Sequence, residues 1–328
     1  MFFQLSKHYG KAATAGFVAL MAAKPAKAFI APAQEAASAR LFHSAIPQSS
    51  TVVPPFQDAG RPEMSSGDIR KSILAGLRSN RDVDWVCDAP TSEYVSVTAK
   101  AFAGTNGAAP EPTMEFALQE IIDDDESDES RQNFFHWILQ SVFETKANDN
   151  GVLYGHPPSE GKHGVSSAVL LFPFDPSVEF DDSNRLKAVQ KDVLEFVSMI
   201  KNGVPSQLHS LSKFFKFTKL FMDIKTRMDG AHAEFGPGGK HLYVNGVAAD
   251  PELQGRGLGK QLMRQVAELD DNLDLPCYLE CAGEKNPAIY RKYGFEVVGE
   301  TKMGKNRDGS ECIMYHMVRE PSQEIVRM

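Results

Sequence analysis

Residues 247–269, VAADPELQGRGLGKQLMRQVAEL, set glycines at 255, 257 and 259 directly before a run in which Leu258, Leu262, Met263, Val266 and Leu269 recur at helical spacing. The preceding HLYVNGVAA (241–249) reads as a strand, and Asp250-Pro251 breaks it. The order is therefore strand, glycine-rich turn, helix start. The first N–H groups of such a helix have no carbonyl partner, and the macrodipole adds partial positive charge, so the turn forms an anion site. Glycines let the backbone come close to a phosphate, with Arg256 and Lys260 supplying charge at the rim.

Spacing narrows the ligand. A P-loop needs a hydroxyl after its lysine to hold magnesium, but Lys260 is followed by Gln261, which argues against a nucleotide triphosphate. The dinucleotide pattern G-x-G-x-x-G fails because the third glycine arrives one residue early. What remains is Gln254-x-x-Gly257-x-Gly259.

Further along, PCYLEC (276–281) alternates as a strand. Asn286 suits a helix N-cap, Pro287 the first helical position, and Gly294 a helix end before a strand FEVVG (295–299). Tyr290 lies one turn into that short helix.

Together these pieces resemble the GNAT superfamily of acyl-CoA-dependent N-acetyltransferases. Gln254-x-x-Gly257-x-Gly259 matches the family's Q/R-x-x-G-x-G/A pyrophosphate loop, 241–263 looks like its fourth strand, loop and third helix, and 277–300 like its fifth strand, next helix and sixth strand. Within the second piece, Leu279-Glu280, Asn286, Tyr290 and Gly294-Phe295 are similar in particular to the branch containing puromycin N-acetyltransferase. The resemblance is strong over 240–300 and weaker upstream.

It implies an α/β (α+β) fold with a central mixed, mostly antiparallel sheet, splayed between its fourth and fifth strands and flanked by helices. It implies acetyl-CoA as cosubstrate and no metal. Around the cosubstrate it places Gln254, Gly255, Arg256, Gly257, Leu258, Gly259, Lys260 and Asn286. The N–H of Val247 would face the oxyanion and that of Ala249 the pantetheine amide. Tyr290 would protonate the leaving thiolate, which its ordinary pKa near ~10 permits. The alternative for Tyr290 is a ring packed on the sheet. As general base, Glu280 competes with His241 and Asp250, and Glu280 has an alternative role as a structural carboxylate that orients Tyr278.

Bulk properties bound the rest. The 328 residues carry a net charge of -8, which disfavours nucleic-acid or anionic-membrane binding through clustered Lys and Arg. Cys87, Cys277, Cys281 and Cys312 form no C-x-x-C pair, and 277 and 281 would lie about 13 Å apart on one strand, too far for a disulfide. The cysteines therefore read as small apolar residues of a reducing compartment.

The opening segment has Lys7, Lys11, Lys24 and Lys27, no acid before Glu35, and an apolar run too short to span a bilayer. Ala26-Lys27-Ala28 then offers an A-x-A-like cleavage site, and an Ala-, Ser- and Pro-rich stretch follows. This resembles the two-part plastid presequence of algae with secondary plastids. A mitochondrial presequence or a plain disordered terminus is the alternative.

The expected organisation is presequence and disorder over 1–85, then a GNAT domain over 90–320. Within the domain, EYVSVTAKAF (93–102) alternates like a strand, GVLYGHPP and VSSAVLLFPFDP read as two strands, and 184–203 and 210–230 as helices. The acidic run 123–130 reads as a solvated loop, and His136, His209 and His232 show no metal-ligand spacing.

The function expected is acetyl transfer to a small-molecule primary amine. A protein N-terminal or lysine acetyltransferase and a non-catalytic CoA-binding module are the alternatives.

Overall fold

The computed structural model describes residues 64–322, except 106–109, 120, 124–125, 160–162, 180–198 and 201. The expected presequence and most of the helix read over 184–203 lie outside the described residues.

In chain order the elements are helices α1 (Ser66–Ser79), α2 (Thr91–Phe102), α3 (Pro112–Leu118) and α4 (Asp128–Asn148), strands β1 (Val152–Tyr154) and β2 (Ser167–Phe174), and the single turn α5 (Pro176–Glu179). There follow α6 (Leu211–Phe235), β3 (His241–Ala249), α7 (Leu258–Leu273), β4 (Cys277–Ala282), α8 (Asn286–Tyr290), β5 (Glu296–Lys305) and β6 (Glu311–Arg319).

The strands form one mixed sheet in the order β1-β2-β3-β4-β6-β5. Every pairing is antiparallel except β3 with β4, which α7 joins as a parallel crossover. The strand expected to be the fourth of the sheet is the third of those described.

Side-chain alternation sorts the strands into two faces. On one face, Leu242 and Val244 of β3, Cys277 and Leu279 of β4, and Met317 of β6 are buried beneath α1 and α7. Leu262, Met263, Val266 and Leu269 of α7 form the apolar stripe anticipated from their spacing, and all four are buried. The opposite face carries Phe172, Phe174, Tyr243 and Tyr278. His232 of α6 stacks on Tyr278 at 4.2 Å, and Phe235 of α6 stacks on His316 at 5.2 Å.

Two N-terminal elements differ from expectation. Helix α1 lies inside the segment assigned to disorder, yet Ile69, Ile73 and Leu77 are at most 1 % exposed and join the central core. The Ser65 hydroxyl caps it by accepting from the Asp68 N–H at 3.2 Å. A Cβ on Gly76 would stand 3.0 Å from Leu269 of α7, so the glycine permits the close approach of the two helices. The folded body thus starts well before residue 85.

Residues 93–102, expected to be a strand, belong to helix α2. Tyr94, Val95, Thr98 and Ala99 fall on the buried side at helical spacing, while Val97, also buried, supplies the alternation that suggests a strand. Packing against α4 and the sheet overrides the β propensity of its Val and Thr residues.

Candidate active site

Strands β3 and β4 pair only through Leu242–Val244 opposite Cys277–Leu279. Beyond that point Asn245–Ala249 stay with β2 alone and Glu280–Ala282 with β6 alone, so the sheet opens between its two central strands. A register shift lies at the start of the opening: Leu171 faces Val244 and Leu170 faces Gly246, which leaves Asn245 as a bulge.

The bulge decides where the backbone donors point. The Leu242 N–H donates toward β4, to the Pro276 carbonyl at 2.8 Å, whereas the Asp250 N–H donates toward β2, to the Ser166 carbonyl at 2.9 Å. Donors alternate along a strand, so counting back from Asp250 puts residues 248 and 246 toward β2 and the N–H groups of Val247 and Ala249 toward the opening. Without the extra residue both would have been consumed by β2.

The glycine loop continues from this strand. Asp250 and Pro251 start a short 3-10 turn, and α7 begins at Leu258 with no side-chain cap. Gly255 and Gly257 have φ of 85° and 80°, in the left-handed region that glycine enters freely. The first helical bond runs from the Gln261 N–H to the Gly257 carbonyl at 3.0 Å, so the N–H groups of 257–260 precede the helix's own acceptors. A Cβ at 255, 257 or 259 would meet no protein atom within 4 Å. Gln254, Arg256 and Lys260 are exposed, and Leu258 is half-buried. This is a run of backbone donors with flanking cations, a setting suited to an anionic ligand such as a pyrophosphate.

Two contacts hold the frame of the loop. Lys100 of α2 donates to Asp250 Oδ1 at 2.8 Å and Glu252 Oε1 at 2.7 Å. Gln261 meets His156 Nε2 at 2.8 Å, and the other nitrogen of that ring meets the Ser167 hydroxyl at 2.7 Å.

On the far side of the opening, Asn286 does not N-cap α8 as expected. That position is Lys285, and the Asn286 amide donates to the Ala282 carbonyl at 2.6 Å, tying the helix start to the end of β4. Tyr290 packs edge-on to Phe295 at 6.2 Å, and its hydroxyl has no hydrogen-bond partner among the described residues. Burial raises its pKa, so the hydroxyl holds its proton at neutral pH. Gly294 ends the segment with φ 86°, as anticipated.

Glu280 sits on the opposite face, its side chain only 4 % exposed. Tyr243 donates to its Oε2, and the Tyr278 hydroxyl lies 3.0 Å from its Oε1. Burial pushes the Glu280 carboxyl up to about 7, against the lowering effect of the two tyrosines. The same Tyr278 oxygen is 2.7 Å from His316 Nδ1, and His316 Nε2 is 2.8 Å from Thr301 Oγ1.

The other candidate bases are engaged elsewhere. Asp250 is paired with Lys100. His241 lies where β3 and β4 still pair, its ring fixed by Gly239 at 2.8 Å and by His232 at 2.9 Å. Burial holds His241 near 4 and His232 near 2, so both are neutral. The cysteines are free, and burial raises the Cys281 thiol to about 12, in keeping with an apolar role.

Sequence reasoning missed Lys100, Tyr243 and His316 as parts of this site. Tyr278 was legible, because two residues before Glu280 on one strand means the same face.

A family model described as an acetyltransferase (GNAT) domain matches residues 224–297, from the middle of α6 to the start of β5. A protein of Escherichia coli named L-amino acid N-acetyltransferase AaaT is 33% identical over 91 residues, covering 25% of this chain and 54% of the relative. The chain thus spans about half the length of that curated relative.

Among solved structures, one of a histone acetyltransferase HPA2 and related acetyltransferase from Corynebacterium glutamicum is 17% identical, covers 74% of this chain and 97% of its own, and gives a TM-score of 0.40. Arylalkylamine N-acetyltransferase 2 from Aedes aegypti is 13% identical, with coverages of 73% and 100% and a TM-score of 0.39. The matched segment holds β3, the glycine loop, α7, β4 and α8, and with the opening between β3 and β4 it leads to one conclusion: the chain carries an acetyltransferase (GNAT) domain.

Proposed function

We propose that the protein is an N-acetyltransferase that moves an acetyl group from acetyl-CoA to the primary amine of a small molecule. The observation that carries this reading is the opening between β3 and β4, with the Val247 and Ala249 N–H groups turned into it and the glycine loop at its mouth. A thioester in that gap lies against the Val247 donor, and a neutral amine adding to the carbonyl creates an oxyanion that this N–H stabilises. One such donor is worth about 3 kcal/mol of barrier.

Glu280 takes the proton the amine loses, and Tyr290 gives its proton to the departing CoA thiolate. The Ala249 N–H pairs with the pantetheine chain, while the N–H groups of 257–260, Arg256 and Lys260 hold the pyrophosphate. Asn286 acts through the position of α8.

A small amine is favoured over a protein acceptor by the Escherichia coli relative, whose name specifies L-amino acids. The puromycin-acetylating branch, suggested by residues 277–300, points the same way. The N-terminal segment is proposed to direct the protein to a plastid and to be removed after residue 28 or beyond, which N-terminal sequencing of the native protein would decide.

The activity is tested by thiol release from acetyl-CoA against a panel of amino acids, polyamines, arylalkylamines and peptides, with a chain beginning no later than Met64. Release with small amines supports the reading. Release only with peptides turns it to the protein-directed alternative, and binding without release turns it to a CoA-binding module.

A further inference from the structure

The contacts of Glu280 do not stop at its two tyrosines. They continue across three adjacent strands on one face of the sheet: Glu280 on β4, His316 directly opposite it on β6, and Thr301 on the edge strand β5. The links are Glu280 Oε1 to Tyr278 Oη at 3.0 Å, Tyr278 Oη to His316 Nδ1 at 2.7 Å, and His316 Nε2 to Thr301 Oγ1 at 2.8 Å. Glu280 and His316 have almost no exposure, whereas Thr301 is half-buried between exposed neighbours. The chain of groups therefore leads from the centre of the sheet to its solvent margin. We infer that Tyr278, His316 and Thr301 form a proton relay that drains Glu280 through the sheet to solvent.

This rests on the reading of Glu280 as the base, and chemistry supplies the need for it. A buried carboxylate that has taken a proton from the amine cannot act again until that proton leaves. The Tyr278 hydroxyl has one hydrogen and two acceptors in reach, so it serves one at a time.

When Glu280 is protonated on Oε1, it donates to Tyr278, Tyr278 donates to His316 Nδ1, and His316 Nε2–H donates to Thr301. One shift along this line returns Glu280 to the carboxylate, passes the Glu280 proton to Tyr278 and the Tyr278 proton to Nδ1, and releases the Nε2 proton through the Thr301 hydroxyl to water. When Glu280 is ionised, the same contacts hold with every hydrogen reversed and the ring in its Nδ1–H tautomer. Nothing but hydrogens moves between the two arrangements, and the only charge left inside is that of the Glu280 carboxylate, ready to act again. Burial pulls His316 down to about 4, so the ring passes protons without storing one as imidazolium.

The surrounding charges are compatible with this. From α6, Asp229 acts to raise Glu280; from α4, Lys146 acts to lower it; His232 and His241 are neutral neighbours on the same face. Phe235 covers the His316 ring and closes the line from the side.

The test is ¹⁵N NMR of histidine-labelled protein between about pH 5.5 and 8.5, where an ordinary histidine would charge. The relay requires His316 to remain neutral and exchange its Nε2–H for its Nδ1–H tautomer as pH rises, with the midpoint of Glu280 near 7, and to hold a fixed tautomer in Glu280→Gln. A tautomer constant across this range, or an imidazolium at its acid end, overturns the relay whether or not the protein is an acetyltransferase.

The kinetic arm uses His316→Gln, which keeps a polar bridge but passes no proton, and the milder Thr301→Val. In both, kcat for thiol release should fall about tenfold with KM for acetyl-CoA and melting temperature unchanged. An unchanged kcat in a folded His316→Gln overturns the relay as a catalytic path. Absence of thiol release from the wild type with every amine overturns the proposed function instead, and the NMR result stands on its own.

Discussion

Lys100 Nζ lies 2.8 Å from Asp250 Oδ1 and so connects helix α2 to the residue where β3 gives way to the glycine loop. The lysine side chain is 21 % exposed and reaches Glu252 as well, so one ammonium closes the turn that sets the direction of 254–260. Lys100→Met keeps the alkyl stem and removes the charge. Acetyl-CoA should bind about three- to tenfold more weakly because the loop is no longer held, at a cost to stability of about 1 kcal/mol for a partly exposed ion pair. Calorimetric affinity equal to wild type would detach this ion pair from loop function.

Gly259 separates the binding role of the loop from its folding. It lies within α7, its φ is not positive, and a Cβ there meets open space. Gly259→Val should therefore leave the melting temperature close to wild type while obstructing the backbone approach to the pyrophosphate, with a loss of affinity for acetyl-CoA of tenfold or more. At Gly257 the same change also forces a β-branched residue to φ 80°, so binding and stability should fall together. A Gly259→Val protein with full affinity would place the pyrophosphate elsewhere.

Helix α1 shows how far the sequence could be read and where it misled. Its apolar residues Ile69, Ile73 and Leu77 recur at helical spacing behind a Ser65 cap, but the presequence-like composition upstream hid this short segment. α2 was misread for a different reason, since its Val and Thr residues mimic strand alternation until the partner α4 is known. The loop and opening were legible because backbone geometry there depends on glycines at fixed spacing, whereas Lys100, Tyr243 and His316 reach the site through tertiary contacts that no local pattern encodes. The structural consequence is measurable. A chain starting at 86 should lose the cooperative unfolding that a chain starting at 64 retains, and Ile73→Ala in the longer chain should cost about 2–5 kcal/mol. Equal stability of both chains would make α1 dispensable.

Among the described residues the Tyr290 hydroxyl has no hydrogen-bond partner, and its ring packs on Phe295. Tyr290→Phe then removes no native hydrogen bond, so melting temperature and acetyl-CoA affinity should stay constant. If the hydroxyl protonates the thiolate, kcat falls by about 10²-fold, the lower end of the usual scale for a general acid. A kcat equal to wild type would reduce Tyr290 to packing.

Glu280 ties activity and stability to pH in opposite directions. As base it must be ionised, so kcat should rise with pH through about 7, and Glu280→Gln should lower kcat and abolish that acid limb. For folding, the carboxyl binds its proton more tightly in the buried site than in the unfolded chain, where its pKa is near ~4.3. Between those two values the folded state holds more protons, so stability falls as pH rises. The contribution is fully present below the unfolded value and is lost as pH passes through about 7, by up to about 4 kcal/mol. Glutamine has no such proton, so Glu280→Gln should gain on the wild type in denaturant midpoint on going from pH 5 to pH 8. A wild-type kcat profile flat between pH 6 and 8, with amine and acetyl-CoA saturating, would remove Glu280 as base. A midpoint difference between variant and wild type that does not change with pH would mean that its carboxyl titrates as it does in the unfolded chain.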